Sequence, residues 1–77
     1  MDANATFRSD RPQQFTPRQL DVLRLLCEGL PNKVISKRLN ISPGTVKIHM
    51  SQILRRLGVA SRLQAVIVAR RMDVLDK

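Results

Sequence analysis

Seventy-seven residues with a net charge of +8 make one small domain at most, with a narrow stability margin unless something staples it. A single cysteine, Cys27, excludes an internal disulfide and fits a reducing compartment. No apolar run approaches the ~20 residues that span a bilayer, and the N-terminus lacks the apolar segment of a signal peptide, so a soluble, cytoplasmic protein without a membrane role is expected.

Residues 1–14, "MDANATFRSDRPQQ", show no periodicity and cancel in charge, and they read as a disordered tail or interdomain linker. The remaining residues, 15–77, form the domain and carry the whole excess of charge. Thr16, Pro17 and Gln19 make a capping box with proline at the first helical position, and Phe15 with Leu20 can add a hydrophobic staple. Leu20, Leu23, Cys27 and Leu30 follow at helical spacing, with Gly29 as the stop. The first helix is expected over about 17–28.

A short second helix opens at Pro31 and Asn32 and runs to about Leu39, with Val34, Ile35 and Leu39 apolar and Asn40 suited to a left-handed end. Ser42 caps a third, Pro43 begins it, and Gly58 closes it after Leu57. Ser61 and Gln64 cap a fourth that runs to about Met72. No strand pattern and no repeat appears. The fold class is all-α, a four-helix bundle. The joint "NIS" between the second and third helices is too short for an antiparallel overlap, which makes the pair a helix-turn-helix. Ile41 plugs that joint, and the small Ser36 permits close approach.

At about 100° per residue, Val46, Met50, Ile53, Leu54 and Leu57 share one side of the third helix, the core stripe. Gly44, Ile48, Ser51 and Arg55 stand opposite, flanked by Lys47 and Gln52. Such a face suits a DNA major groove. Gly44 permits close approach, Ile48 can meet a thymine methyl, and Lys47, Ser51 and Gln52 can bond base edges. Arg55 and Arg56 lie further on, where a helix leaving the groove meets phosphate.

Charge distribution points the same way. Between Glu28 and Asp73 no acidic residue occurs, while Lys33, Lys37, Arg38, Lys47, Arg55, Arg56, Arg62, Arg70 and Arg71 all fall there. A one-signed surface repels itself unless a polyanion relieves it. Two phenylalanines, with no tyrosine or tryptophan, leave little to stack unpaired bases, which favours duplex DNA over single strands.

The fourth helix is apolar almost all round. Leu63, Val66 and Ile67 cluster on one side; Ala65, Val68, Ala69 and Met72 cover much of the other. One side serves the core and the second needs a partner, although periodicity alone does not say which is which. The Ala65, Val68, Ala69 and Met72 side is assigned here to a two-fold dimer contact, small enough for the pair to form on DNA.

His49 is the sole histidine and Cys27 is distant, so no metal set is expected. No nucleophile with a base, no carboxylate pair and no phosphate loop appears. An enzyme is not indicated, and no cofactor is called for.

"TPRQLDVLRLL", "GLPNKVISKRL", "SPGTVKIH" and "ILRRLGVASR" together resemble the LuxR-type (GerE-type) helix-turn-helix domain of bacterial transcription regulators, over about residues 15–71. The resemblance implies four helices, DNA binding through the third, dimerisation through the fourth, and a place at the C-terminus of a longer regulator with an input domain. Carried over by position, it makes Lys47, Ile48 and Ser51 groove residues. It places Lys33, Thr45, Arg55 and Arg56 on phosphate, and Asn32 is counted with them. Gln19 replaces a usual glutamate, Pro31 a small polar cap, Ser36 an alanine, Gln52 an asparagine and Gly44 a longer residue, so base preference does not transfer. The expected activity is that of a sequence-specific, duplex-DNA-binding transcription regulator, with a possible RNA polymerase contact. The alternative is a helix-turn-helix interaction module that docks on RNA polymerase or a receiver domain.

Overall fold

A computed structural model describes residues 15–72; the expected tail or linker over 1–14 lies outside the described residues. Four helices follow one another: α1 Pro17–Cys27, α2 Asn32–Leu39, α3 Pro43–Leu57 and α4 Arg62–Met72. The bounds match the caps read from the chain because each end is set by local chemistry. Thr16 Oγ1 accepts the Gln19 N–H at 3.1 Å, and Gln19 Oε1 accepts the Thr16 N–H at 3.1 Å, closing the capping box of α1. Pro31, with no side-chain acceptor, is the residue before α2. Ser42 Oγ accepts the Thr45 N–H at 3.0 Å at the start of α3. At α4, Ser61 Oγ accepts the Gln64 N–H, and Gln64 Oε1 accepts from Ser61 and Ala60.

The first three helices end alike. Gly29, Asn40 and Gly58 take left-handed backbone angles, with φ of 84°, 58° and 71°. The next N–H then bonds back five residues: Leu30 to Leu25 O, Ile41 to Ser36 O, Val59 to Leu54 O. These bonds satisfy carbonyls that a helix end leaves orphaned.

α3 is the spine of the fold, touched by α1, α2 and α4 alike. Val22, Leu23, Ile35, Val46 and Ile53 are wholly buried around it, each stabilising the fold by about 2 kcal/mol. Phe15, Leu26 and Met50 complete the centre, and Leu20, Cys27, Leu30, Leu39, Ile41, Leu54 and Leu57 pack around it half-buried. Ser36 is buried as well, its hydroxyl bonded to Lys33 O at 2.9 Å, so the polar group costs little where two helices come close. The three-residue joint Asn40 to Ser42 makes α2 and α3 a helix-turn-helix.

α4 corrects one expectation. Ala65 and Ala69 are wholly buried in the core, Met72 packs against it, and Val68 is half-buried. Ala65 and Ala69 therefore have no surface to offer a second copy. The alanines face inward because a helix that lies close on its neighbours has room there only for methyl groups. Leu63 and Ile67, 66% and 47% exposed, form the free side instead.

Candidate nucleic-acid interface

The outer side of α3 is laid out by the inner one. With Val46, Met50 and Ile53 fixed in the core, Gly44, Lys47, Ile48, Ser51, Gln52, Arg55 and Arg56 all fall on exposed positions. Ile48 is 59% exposed, an apolar side chain held in solvent amid polar ones. Gly44 has an ordinary helical backbone. A Cβ built there would meet only Ser42 Oγ, at 3.7 Å. Nothing inside the protein requires glycine at this position; its bareness matters only to what approaches from outside.

Electrostatics favour an anion. The only carboxylates among the described residues are Asp21 and Glu28, on α1 and at its end. Asp21 is shared between Arg18 at 3.5 Å and Arg24 at 3.6 Å, exposed pairs of small energetic weight. Lys33 on α2 and Lys47, Arg55 and Arg56 on α3 are all exposed. Thr45 is half-buried, and its hydroxyl lies 3.0 Å from that of Ser42 at the first turn of α3. Asn32 is turned toward α4, where its Oδ1 accepts from Arg62 Nη2 at 2.9 Å, leaving only its amide hydrogens for a phosphate.

Gln52 sits differently from its neighbours. Its Oε1 accepts from Gln19 Nε2 at 2.8 Å, which ties α3 to the capped start of α1. Thr16, Gln19, Gln52, Arg55 and Arg56 line an open cleft of about 440 Å³ there. Gln19 and Thr16 read from the chain as caps only. No local signal announces a bond between residues 33 positions apart. His49, beside the core stripe, is half-buried, and its Nδ1 is buried without a hydrogen-bond partner among the described residues.

Away from α3, Leu26, Gly29, Leu30, Pro31, Arg62, Leu63 and Val66 line an apolar hollow of about 310 Å³. Burial raises the pKa of the Cys27 thiol, and the nearby Arg70 only partly offsets this. Arg70 Nη2 donates to Cys27 O at 3.1 Å, pinning the end of α4 to the end of α1. Among the described residues no group of three His, Cys, Asp or Glu is placed to hold a metal ion, and no helix is long and apolar enough to cross a membrane.

Sequence comparison agrees with this architecture. The family model for "Bacterial regulatory proteins, luxR family" matches residues 13–69. The nitrate/nitrite response regulator protein NarL of Escherichia coli (strain K12) is 44% identical over 54 residues, which cover 70% of this chain and 25% of that protein. The nitrate/nitrite response regulator protein NarP of the same strain is 53% identical over a stretch of the same length and coverage. A glycerol metabolism activator of Pseudomonas putida is 41% identical over 70 residues, 91% of this chain and 32% of that protein. The chain thus spans about a quarter to a third of the length of these relatives. With the family pattern covering most of its residues and the helix-turn-helix in place, the chain belongs to the luxR family of bacterial regulatory proteins.

Proposed function

We propose that this chain is a sequence-specific, duplex-DNA-binding transcription regulator, or the DNA-binding part of one, that lays α3 in the major groove. One observation carries the reading. The exposed stripe of Gly44, Lys47, Ile48 and Ser51 runs along a helix whose opposite stripe is locked in the core. A largely exposed Ile48 and a glycine the fold does not need are both accounted for by a groove floor, where a thymine methyl and close approach give them partners. Lys33, Thr45, Arg55 and Arg56 then supply the phosphate contacts, and most of the affinity, by releasing counterions.

Two copies pair, in this reading, through the outer side of α4, around Leu63 and Ile67. Their α3 helices enter successive major grooves roughly ten base pairs apart, on an inverted repeat. The contact is small, so pairing is strongest on DNA. In a longer regulator, an input domain controls when this pairing occurs.

The second reading is an interaction module for RNA polymerase or a receiver domain, and one feature favours it: the apolar hollow beside Leu63, to which α3 contributes no residue. Gel-shift titration against a random duplex library at two salt concentrations separates the two. DNA binding that weakens steeply with salt supports the first. No shift at either concentration supports the second.

A further inference from the structure

The direction of the hydrogen bond between Gln19 and Gln52 is fixed by a backbone amide, which can only donate. The Thr16 N–H donates to Gln19 Oε1 at 3.1 Å. With its oxygen engaged, Gln19 turns Nε2 outward, and Nε2 can only donate in its turn. Its acceptor is Gln52 Oε1 at 2.8 Å. Side-chain amide ends are hard to tell apart by shape, but here the anchoring N–H decides both of them. Gln19 is 5% exposed, so the surrounding core holds this arrangement. Gln52 is exposed, and its Nε2 has no hydrogen-bond partner among the described residues.

Gln52 therefore holds its oxygen toward Gln19 and turns its amide hydrogens outward. That limits what it can recognise. A bidentate pair with adenine needs the amide oxygen to accept from N6 while the nitrogen donates to N7, and cytosine N4 also needs an acceptor. One lone pair of that oxygen is already taken by Gln19, which directs it toward α1. Donors alone suit guanine N7 and O6 or thymine O4, and equally a phosphate oxygen, so the surroundings of Gln52 decide between them. The cleft beside Gln52 adds two guanidinium groups, Arg55 and Arg56, and among the described residues no carboxylate lines it, which favours phosphate.

We propose that Gln19 is a positioning residue that presents Gln52 as a donor to a DNA backbone phosphate held with Arg55 and Arg56. Gln52 thereby fixes the duplex in place and does not read a base, contrary to its assignment from the helical wheel. The inference rests on the duplex-DNA reading above and assigns one residue pair a task within it.

The test uses duplexes selected from a random library, with Lys47→Ala as the control for groove binding. Gln52→Met removes the donor at an exposed position. It weakens binding to every duplex about ten-fold, as loss of a hydrogen bond to a charged group does, and leaves the ranking of sites unchanged. Gln19→Glu keeps the acceptor for the Thr16 N–H but can only accept from Gln52, so Gln52 reverses and turns its oxygen toward the phosphate. Circular dichroism and thermal unfolding stay near wild type while affinity falls. The carboxylate that Gln19→Glu introduces lowers affinity by its charge alone, so the two changes are combined. An effect through Gln52 makes the Gln19→Glu penalty shrink in the Gln52→Met background. On titration with duplex, the Gln52 side-chain amide resonances of the wild type also move.

Undiminished Gln19→Glu loss in the double variant overturns the inference, as does wild-type affinity in Gln52→Met or a changed preference at one base pair. If the wild type binds duplex and Lys47→Ala weakens it, those outcomes leave the DNA reading standing. If the wild type binds no duplex at all, both fall.

Discussion

Gln19 Nε2 and Gln52 Oε1 lie 2.8 Å apart, joining the first turn of α1 to the middle of α3 across 33 positions of sequence. The same Gln19 side chain closes the α1 capping box, so one buried residue serves two helices. Gln19→Ala removes both bonds, leaves the Thr16 N–H without its acceptor, and lowers the unfolding free energy by about 2 kcal/mol in a urea titration. Gln19→Glu, which keeps the cap, loses less than half as much. Equal stability of wild type and Gln19→Ala rules out the cap as a support of α1.

The two sides of α4 respond oppositely to substitution. Ala65→Leu and Ala69→Leu overpack the core and cost about 1–3 kcal/mol, whereas Leu63→Gln and Ile67→Gln stay within about 0.5 kcal/mol of wild type. The latter two weaken self-association on an inverted-repeat duplex, measured by sedimentation. Pairing that survives both glutamine changes places the dimer contact elsewhere.

Along α3, reading and holding separate. Lys47→Ala and Ser51→Ala change which duplexes are selected from a random library. Arg56→Ala weakens all duplexes alike and lowers the slope of log affinity against log salt by about one. A uniform loss in Lys47→Ala, with site preference intact, removes Lys47 from the groove.

Two glycines differ in what they serve. Gly58 has φ of 71°, with open space where a Cβ would go, so Gly58→Ala costs about 1 kcal/mol from backbone conformation alone. Gly44 is in ordinary helix, and Gly44→Ala leaves stability equal or raises it by up to about 1 kcal/mol. The same change weakens DNA binding by holding α3 away from the groove. Unchanged affinity in Gly44→Ala contradicts close approach at that point.

Cys27 contributes a pH dependence of known sign. Burial raises the thiol pKa in the folded chain, so this group's stabilisation is complete below the unfolded-state pKa and is lost as pH rises through the folded one. In denaturant titrations carried from neutral into alkaline solution, the wild-type midpoint falls more steeply than that of Cys27→Ala. Parallel curves show that the thiol has no part in the alkaline loss.

The helices, their caps and the two sides of α3 are legible in the chain because each depends on neighbours within a few residues. Thr16 needs only Gln19, Ser42 only Thr45, and the periodicity of Val46, Met50 and Ile53 points the opposite stripe outward wherever the core lies. α4 is different: apolar on both sides, it has no preferred face until α1 and α3 close in and bury Ala65 and Ala69. Gln52 is different again, since an amide can donate or accept, and only a partner folded in from 33 residues away chooses between them. Local bonding fixed the elements of this protein, and contact between distant segments decided which surfaces and which hydrogen-bonding polarity they present.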